Sequence, residues 1–188
     1  MTHPTMMKED FPVSNIRHFL EPGPIVLVSS QWQAQPNIMT LGWHMVMAFS
    51  PSLIGCVIAA GNHSHALVHH SGECVINIPS ASLVDTVVSI GNCSGSEVDK
   101  FKTFDLTPGK AEKVGAPLIE ECYASFECQL HDDAMVERYN LFIFEVVKAH
   151  VAPSADDEES LHYRGMGEFM LSGNTIDRTA LFKPSMLV

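Results

Sequence analysis

The residues with the clearest chemical potential lie in the segment 60–66 (AGNHSHA), between a predicted strand and a predicted helix. A helix that begins here presents N–H groups without intrahelical acceptors, and the positive end of its dipole, at one point. Gly61 permits close approach to the backbone, while Ser64 offers a hydroxyl and His63 a ring N–H. This combination favours a phosphate. An ordinary strand-to-helix turn, with Ser64 as the N-cap, explains the same residues and is the commoner use of such a sequence.

The histidines of this region raise the alternative of a metal site. His65 and His69 are four residues apart on the predicted helix, a spacing that allows two ligands on one face. No Asp, Glu or Cys completes a site at the usual spacing, since Glu73, the only candidate, begins a predicted strand. We therefore expect surface or partly buried histidines here and no metal.

Other catalytic signatures are absent or incomplete in the sequence. Gly165 and Gly167 are followed by Met170 where a dinucleotide-binding loop requires a third glycine. Neither a GxxxxGK[ST] segment nor a GxSxG motif occurs. The glycine-rich segment 91–95 follows a predicted helix and is interpreted as a flexible turn. Cys56 and Cys74 lie within apolar runs, where buried and unreactive thiols are expected.

The elements that must position these residues are mostly strands. Short β-branched or alternating runs predict strands over residues 24–30, 37–48, 53–59, 73–78, 122–130 and 138–151. Residues 64–70 and 82–90 predict two short helices. Many strands with few helical inserts indicate an all-β barrel or sandwich.

Positive charge is unevenly distributed along the chain, which limits how an anion can be bound. The 188 residues include 11 basic and 22 acidic ones, for a formal net charge of −11. A charge of this sign disfavours nucleic acid and membrane surfaces as partners. Between His18 and Asp99 there is no Lys or Arg. An anion in this half must be bound by backbone N–H groups, hydroxyls, histidines or a basic residue from elsewhere.

Length and composition fit one domain over residues 1–188, with residues 1–20 as a leader expected to pack on it. No segment approaches the roughly 20 apolar residues of a membrane span, and residues 1–10 lack the apolar core of a signal peptide. The five cysteines are odd in number and have no CxxC spacing. We therefore expect free thiols and a reducing cytoplasmic setting.

A series of short phrases extends over most of the chain in one order and spacing. They are PNIMT (36–40), GW (42–43), SP (50–51) leading to GCVI (55–58), NHS (62–64), GECVINIP (72–79), VDKF (98–101), APLIEEC (116–122) and RYN (138–140). No single phrase is diagnostic, but the series is specific. It resembles the flavin reductase-like, FMN-binding split-barrel family, and especially its flavoredoxin branch.

This resemblance implies a fold, an assembly and a cofactor. The family's fold is mainly β (α+β), a six-stranded antiparallel Greek-key split barrel with short helical inserts. Its members are usually homodimers that hold FMN non-covalently near the subunit interface. We therefore expect FMN as the cofactor, a second copy of the chain as a partner, and NADH or NADPH as the electron donor.

Carried over position by position, the resemblance also implies the residues at the cofactor. Those along or near the isoalloxazine ring are Asn37, Met39, Thr40 and Trp43. Ser64 matches the hydroxyl at the phosphate, and Lys100 matches a basic residue that reaches the cofactor. The further expected cofactor-binding residues are Cys56, Val57, Asn62, His63, Tyr139 and Phe169. No catalytic acid or base is implied, because the redox chemistry belongs to the flavin.

Three functions remain open from the sequence. The first is an NAD(P)H:FMN oxidoreductase that supplies reduced flavin, for example to a separate monooxygenase. The second is a flavoredoxin-type electron carrier that is reduced by a partner protein. The third, of another class, is a barrel that binds a metal or small ligand and has no redox role.

Overall fold

The computed structural model describes residues 23–153 and 155–186, so the expected packing of the leader (residues 1–20) lies outside the described residues. The strands of this part are β1 (Val26–Trp32), β2 (Gln35–Leu41), β3 (His44–Phe49), β4 (Ser52–Val57), β5 (Glu73–Ile78), β6 (Pro108–Gly109), β7 (Leu118–Ile119), β8 (Ala124–Asp132), β9 (Leu141–Val151), β10 (Leu161–Gly165) and β11 (Glu168–Leu171). Its α-helices are α1 (His63–Ser71), α2 (Val84–Gly91), α3 (Lys100–Thr103) and α4 (Val136–Tyr139). Short 3₁₀ turns occur at Ala81–Leu83, Ala155–Asp157, Thr179–Leu181 and Pro184–Met186.

The main sheet has seven antiparallel strands in the order β2-β1-β5-β8-β9-β4-β3. The predicted strand over residues 37–48 is interrupted at Gly42 and Trp43, so the six predicted strands become seven. β2 and β3 occupy opposite edges of the sheet although only these two residues separate them. The sheet must therefore curl until its edges approach at this corner, which gives an open barrel. The mainly β class with short helical inserts is confirmed.

A glycine is favoured where the chain passes from one edge of the sheet to the other. A Cβ on Gly42 would come within 3.0 Å of Ile25 Cδ1, which is closer than side chains normally pack. The corner is fixed on its other side by a hydrogen bond from Val57 N–H to the Trp43 carbonyl, at 2.9 Å. The position of β2 relative to β4 is thereby set at the point where the site lies.

The strand β1 is buried on both faces, which explains why its sequence is a continuous apolar run. Val26 and Val28 belong to one buried cluster, with residues of β4, β5, β8 and β9. Leu27 points to the opposite face, where it belongs to a second cluster with Val87 and Ile90 of α2. The second predicted helix, 82–90, is thus realised as α2 and packs on the outer side of β1 and β2, and the first, 64–70, as α1. No helix within the described ranges is long and apolar enough to cross a membrane.

All five cysteines are free thiols, as predicted. Cys56, Cys74 and Cys128 belong to one buried cluster, and Cys74 lies opposite Cys128 in the ladder between β5 and β8. Burial, with a smaller effect from Cys128, raises the pKa of Cys56 to about 12. This thiol is therefore neutral near pH 7 and a weak nucleophile.

A buried carboxylate on β8 fixes the loop that precedes β7. Glu127 is fully buried and accepts hydrogen bonds from the backbone N–H groups of Glu112, Lys113 and Val114, and from His150 Nε2 at 2.7 Å. Burial alone would raise the pKa of Glu127, but these hydrogen bonds together hold it below its ordinary value. A group whose pKa is lower in the folded state stabilises the fold above its unfolded pKa. That stabilisation is lost as the pH falls through the folded pKa.

We expect Glu127→Gln to lower the free energy of unfolding at pH 7 by about 1–3 kcal/mol, because the amide NH₂ would face backbone N–H donors. The matched control is Glu145→Gln. Glu145 is partly exposed and lies 3.6 Å from His131, so its loss should cost less than about 1 kcal/mol. Urea unfolding followed by circular dichroism measures both. The difference between wild type and Glu127→Gln should shrink at acid pH, below the ordinary carboxyl range of about 4.3. Equal losses for the two variants would contradict this account.

Candidate functional site

Two adjoining cavities lie where β2, α1 and α2 meet. The apolar cavity, of about 580 Å³, is lined by Ile25, Met39, Thr40, Leu41, Gly42, Trp43, Val57, Ala59, Asn62, Val87, Val88, Gly91, Asn92, Tyr163, Gly167 and Phe169. The polar cavity, of about 260 Å³, is lined by Asn37, Met39, Thr40, Gly61, Asn62, His63, Ser64, Ile90, Gly91, Asn92, Cys93, Ser94, Gly95 and Lys100. Since five residues line both cavities, they form one elongated site with an apolar and a polar end.

The first turn of α1 forms one wall of the polar cavity. Asn62 is the N-cap residue, with extended backbone angles, and its side chain makes no capping hydrogen bond. The first N–H groups of a helix have no intrahelical acceptor, so those of His63 and Ser64 remain available to an anion. Ser64 is a buried residue of the first turn and is not the N-cap that an ordinary turn would need. The N-cap of this turn is therefore Asn62 and not Ser64, and the phosphate interpretation stays a prediction.

Lys100 supplies the positive charge of the polar cavity. It begins α3, is only 5% exposed, and its Nζ donates to the Ile90 carbonyl at 2.8 Å. Within residues 23–153 and 155–186 it forms no ion pair with a carboxylate. Burial lowers the pKa of Lys100. A buried cation without a counter-ion is unfavourable, so this position is electrostatically prepared for an anionic ligand.

The loop that leads into α1 is held by Asn140, at the start of β9. Its backbone carbonyl accepts from Ile58 N–H at 3.0 Å, and its side-chain oxygen accepts from Ala60 N–H at 3.1 Å. Asn140 adopts the left-handed conformation, with φ of 55°, which asparagine tolerates well. In the phrase RYN (138–140), the residue that supports the site is therefore Asn140.

The apolar cavity is lined mostly by apolar side chains. Met39 and Thr40 of β2 lie along it, and the Thr40 hydroxyl donates to the Val87 carbonyl at 2.7 Å, which fixes α2 against β2. The hairpin of β10 and β11 contributes Tyr163 and Phe169, whose ring centroids are 5.1 Å apart. Trp43, 57% exposed, also lines the cavity. Apolar walls with few polar groups are typical of sites for aromatic ligands.

Ten of the twelve expected cofactor-binding residues line one or both cavities. They are Asn37, Met39, Thr40, Trp43, Val57, Asn62, His63, Ser64, Lys100 and Phe169. Asn37, which was expected along the ring, lines only the polar cavity. Its side chain is buried there and donates to Ser64.

The other two expected residues lie outside both cavities. Successive residues of a strand point to opposite faces, so Cys56 faces the buried core while its neighbour Val57 faces the apolar cavity. The Cys56 side chain therefore reaches neither cavity, and the assignment of Cys56 to the cofactor stays a prediction. Tyr139 is half exposed at the end of α4, with the Arg138 guanidinium 5.1 Å from its ring centroid.

Sequence reasoning missed one wall of the polar cavity and part of the apolar one. The segment 91–95, interpreted as a flexible turn, lines the polar cavity throughout. Tyr163 of β10 packs on Phe169 and lines the apolar cavity. The two glycines within 91–95, directly after a helix, were the available signal, because backbone without side chains allows a ligand to approach closely.

The histidines of α1 pack among aromatic rings. The rings of His65 and His69 stack at a centroid distance of 6.0 Å, and His65 lies 5.1 Å from the ring of Phe142. Burial, together with the nearby His69, lowers the pKa of His65. His70 stacks on Trp32 at 5.8 Å. Among the residues that the structure describes, no group of three or more potential ligands is placed to hold a metal ion.

Comparison with known proteins gives concordant results. The chain matches the flavin reductase like domain over residues 18–169. A protein of Archaeoglobus fulgidus is 30% identical over 153 residues, which cover 81% of this chain and 86% of that protein. An FMN-binding domain of a flavin reductases-like enzyme from Shewanella baltica has a TM-score of 0.75 and 24% identity, covering 89% of this chain and 95% of that chain. The flavoredoxin of Desulfovibrio vulgaris (Miyazaki F) has a TM-score of 0.76 and 23% identity, covering 94% and 97%.

Proposed function

We propose that this chain, which belongs to the flavin reductase-like family, is an oxidoreductase that transfers electrons from NADH or NADPH through non-covalently bound FMN. The observation that carries the proposal is the elongated site, which joins an apolar cavity to a polar one that contains a buried lysine with no carboxylate partner in the described part of the chain. FMN combines a flat apolar ring with a phosphate. The two ends of the site match these two parts of one molecule.

In this assignment the polar cavity holds the phosphate. Lys100 supplies the charge, the Ser64 hydroxyl donates a hydrogen bond, and the N–H groups of the first turn of α1 supply further donors. An anion bound here acts as a counter-ion and offsets the free-energy cost of burying the Lys100 ammonium. This explains how a segment without Lys or Arg between His18 and Asp99 can bind a phosphate.

The apolar cavity holds the ring, and bound FMN supplies acceptance and donation of an electron pair. Met39, Thr40 and Val57 line the cavity and exclude water from the ring. β2 is an edge strand of the main sheet, so N–H groups on its outer side are candidates to hydrogen-bond the polar edge of the flavin. Trp43 and the rings of the β10–β11 hairpin form the surface against which a nicotinamide would lie.

The assembly that we propose is a homodimer. The side chains of β3 form an apolar surface, with Met45, Val46, Met47 and Phe49 exposed by 51%, 68%, 45% and 81%. An apolar patch of this kind on an edge strand marks a protein contact, and an isologous pair is the commonest solution. β3 follows Trp43 directly, so such an interface lies beside the apolar cavity. A cytoplasmic setting, with a monooxygenase or an electron-transfer protein as acceptor, completes the proposal.

Reduction by nicotinamide is the first test. The FMN-loaded protein should show the visible absorbance band of oxidised flavin, and anaerobic NADH or NADPH should bleach it. Trp43→Leu should slow bleaching, whereas Trp32→Leu should not, because Trp32 lies outside both cavities. A stable band that neither nicotinamide bleaches would identify a flavoredoxin-type carrier instead. Failure to bind FMN would favour a ligand-binding barrel without redox function.

Phosphate recognition by Lys100 is the second test. Loss of a charge-assisted hydrogen bond costs roughly 1.5–3 kcal/mol, or about ten- to a hundredfold in affinity. We expect Lys100→Met to weaken FMN binding by this factor and to affect riboflavin, which lacks the phosphate, much less. Lys102→Met is the matched control, since Lys102 is on the same helix and 86% exposed. His69→Ala should likewise change neither affinity.

The pH dependence gives a second readout of the same lysine. The pKa of Lys100 is lowered in the free protein, and only the charged form attracts the phosphate. FMN affinity should therefore decline as the pH rises through this lowered pKa, before the ordinary lysine range near 10.4 is reached. Riboflavin affinity and the Lys100→Met variant should show no such decline. Equal losses for FMN and riboflavin in Lys100→Met would place the lysine at the ring or in the fold.

The dimer is tested by the mass in solution. Light scattering at micromolar concentration should give twice the chain mass of 20.6 kDa. Val46→Glu should shift the equilibrium to the monomer, because it places a charge on the apolar surface of β3. Ile176→Glu is the control with the same exposed fraction, 68%, outside β3. A single-chain mass for the FMN-loaded wild type would refute the dimer.

A further inference from the structure

A buried asparagine lies directly behind the Ser64 hydroxyl. Asn37 on β2 is 3% exposed, and its Nδ2 donates to Ser64 Oγ at 2.7 Å. A serine hydroxyl has one proton to donate and can accept from other groups. Because Asn37 occupies an acceptor position of Ser64, the hydroxyl proton is left for another partner. Asn37 and Ser64 both line the polar cavity, so a ligand bound there is a candidate for that partner.

The direction of this hydrogen bond matters for an anionic ligand. Phosphate oxygens only accept hydrogen bonds from a hydroxyl, so Ser64 must act as the donor. A hydroxyl that accepts from the Asn37 amide NH₂ cannot donate to the same group, so its proton turns away from Asn37. Asn37 therefore orients the Ser64 hydroxyl as a hydrogen-bond donor, which is what a phosphate requires.

The amide of Asn37 occupies the space left by the missing side chain of Gly95, in the segment 91–95. A Cβ on Gly95 would overlap the Asn37 side-chain amide. Gly95 has no positive φ that would itself require glycine, so the close approach to Asn37 is the reason for glycine here. Asn37 Oδ1, which lies closest to Gly95, is buried and has no hydrogen-bond partner within the described residues. A buried unpaired oxygen disfavours the fold, which points to a role of Asn37 in binding.

We propose that Asn37 is a positioning residue for phosphate recognition, which acts through Ser64, and that Gly95 is required because it leaves room for the Asn37 amide. The inference rests on the proposed function, in that the ligand phosphate is taken to occupy the polar cavity. It assigns to Asn37 no contact of its own with the phosphate. The effect of Asn37 on the affinity for the phosphate must therefore vanish when the Ser64 hydroxyl is absent.

The test is a double-mutant cycle with Asn37→Ala and Ser64→Ala, in which the affinities for FMN and riboflavin are measured by fluorescence quenching. Each single variant should lower FMN affinity about three- to tenfold, the effect of a single neutral hydrogen bond. The double variant should be no weaker than Ser64→Ala alone, since residues that act in series are not additive. Riboflavin affinity should stay within about twofold of wild type in all three.

Gly95→Ala tests the same mechanism without touching either polar side chain. The added methyl group should displace the Asn37 amide and reproduce the loss of FMN affinity, again only when Ser64 is present. Gly173→Ala is the matched control, because no atom lies within 4 Å of a Cβ at that position. Circular dichroism confirms that each variant is folded before its affinity is measured. The Gly95 variant keeps the test decisive if Asn37→Ala does not fold.

The outcomes separate this inference from the proposed function. A wild-type protein that binds FMN no more tightly than riboflavin would refute the phosphate assignment and this inference with it. Additive losses in the cycle would show that Asn37 contacts the ligand directly and would overturn this inference alone. This inference alone would also be overturned if riboflavin affinity fell as much as FMN affinity in the variants of the cycle. Unchanged FMN affinity in both Asn37→Ala and Gly95→Ala would also overturn it.

Discussion

The architecture depends on one covalent constraint, the two-residue link between β2 and β3. These strands lie at opposite edges of a seven-stranded sheet, yet only Gly42 and Trp43 separate them. Backbone connectivity therefore forces the sheet to curl, and the free edge of β2 is brought beside the end of β4. α1 follows β4 and α2 packs on β2, so both helices are carried to the same corner. The elongated site is the space that remains between them.

Glu127 and Lys100 are both buried charged groups, but they differ in their partners. Glu127 is a buried anion whose partners are all within the chain, three backbone N–H groups and His150. The Glu127 carboxylate is therefore a structural charge, whose hydrogen-bond partners all belong to the fold. Lys100 is a buried cation with one carbonyl as its partner and no carboxylate among the described residues. Burial of a charged group is unfavourable unless the group has partners. The backbone N–H groups of residues 112–114 are such partners for Glu127, whereas the polar cavity leaves Lys100 available to an anionic ligand.

Much of the fold and of the site was predictable from local sequence, and the failures have specific causes. The strand runs other than 37–48, both helices and the helix start near residues 62–64 were located correctly, because periodicity and helix-start signals act over a few residues. Cys56 and Val57 were assigned together, but neighbours on a strand face opposite sides, and only Val57 reaches the cavity. The segment 91–95 was taken as a flexible turn because its role arises from contacts with β2, far away in sequence.

The sequence by itself determined the alternation of strands, the helix start beside Gly61, the absence of Lys and Arg between His18 and Asp99, and the family to which the phrases point. Each of these is a property of residue type and short-range order. Only the tertiary structure decided that Lys100 is buried with no carboxylate partner among the described residues, that Asn37 lies behind Ser64, and that β2 and β3 are separate strands. Burial and hydrogen-bond direction depend on residues that are distant in the sequence, such as Asn37 and Ser64, which are 27 residues apart. Local sequence does not indicate which distant segments will meet.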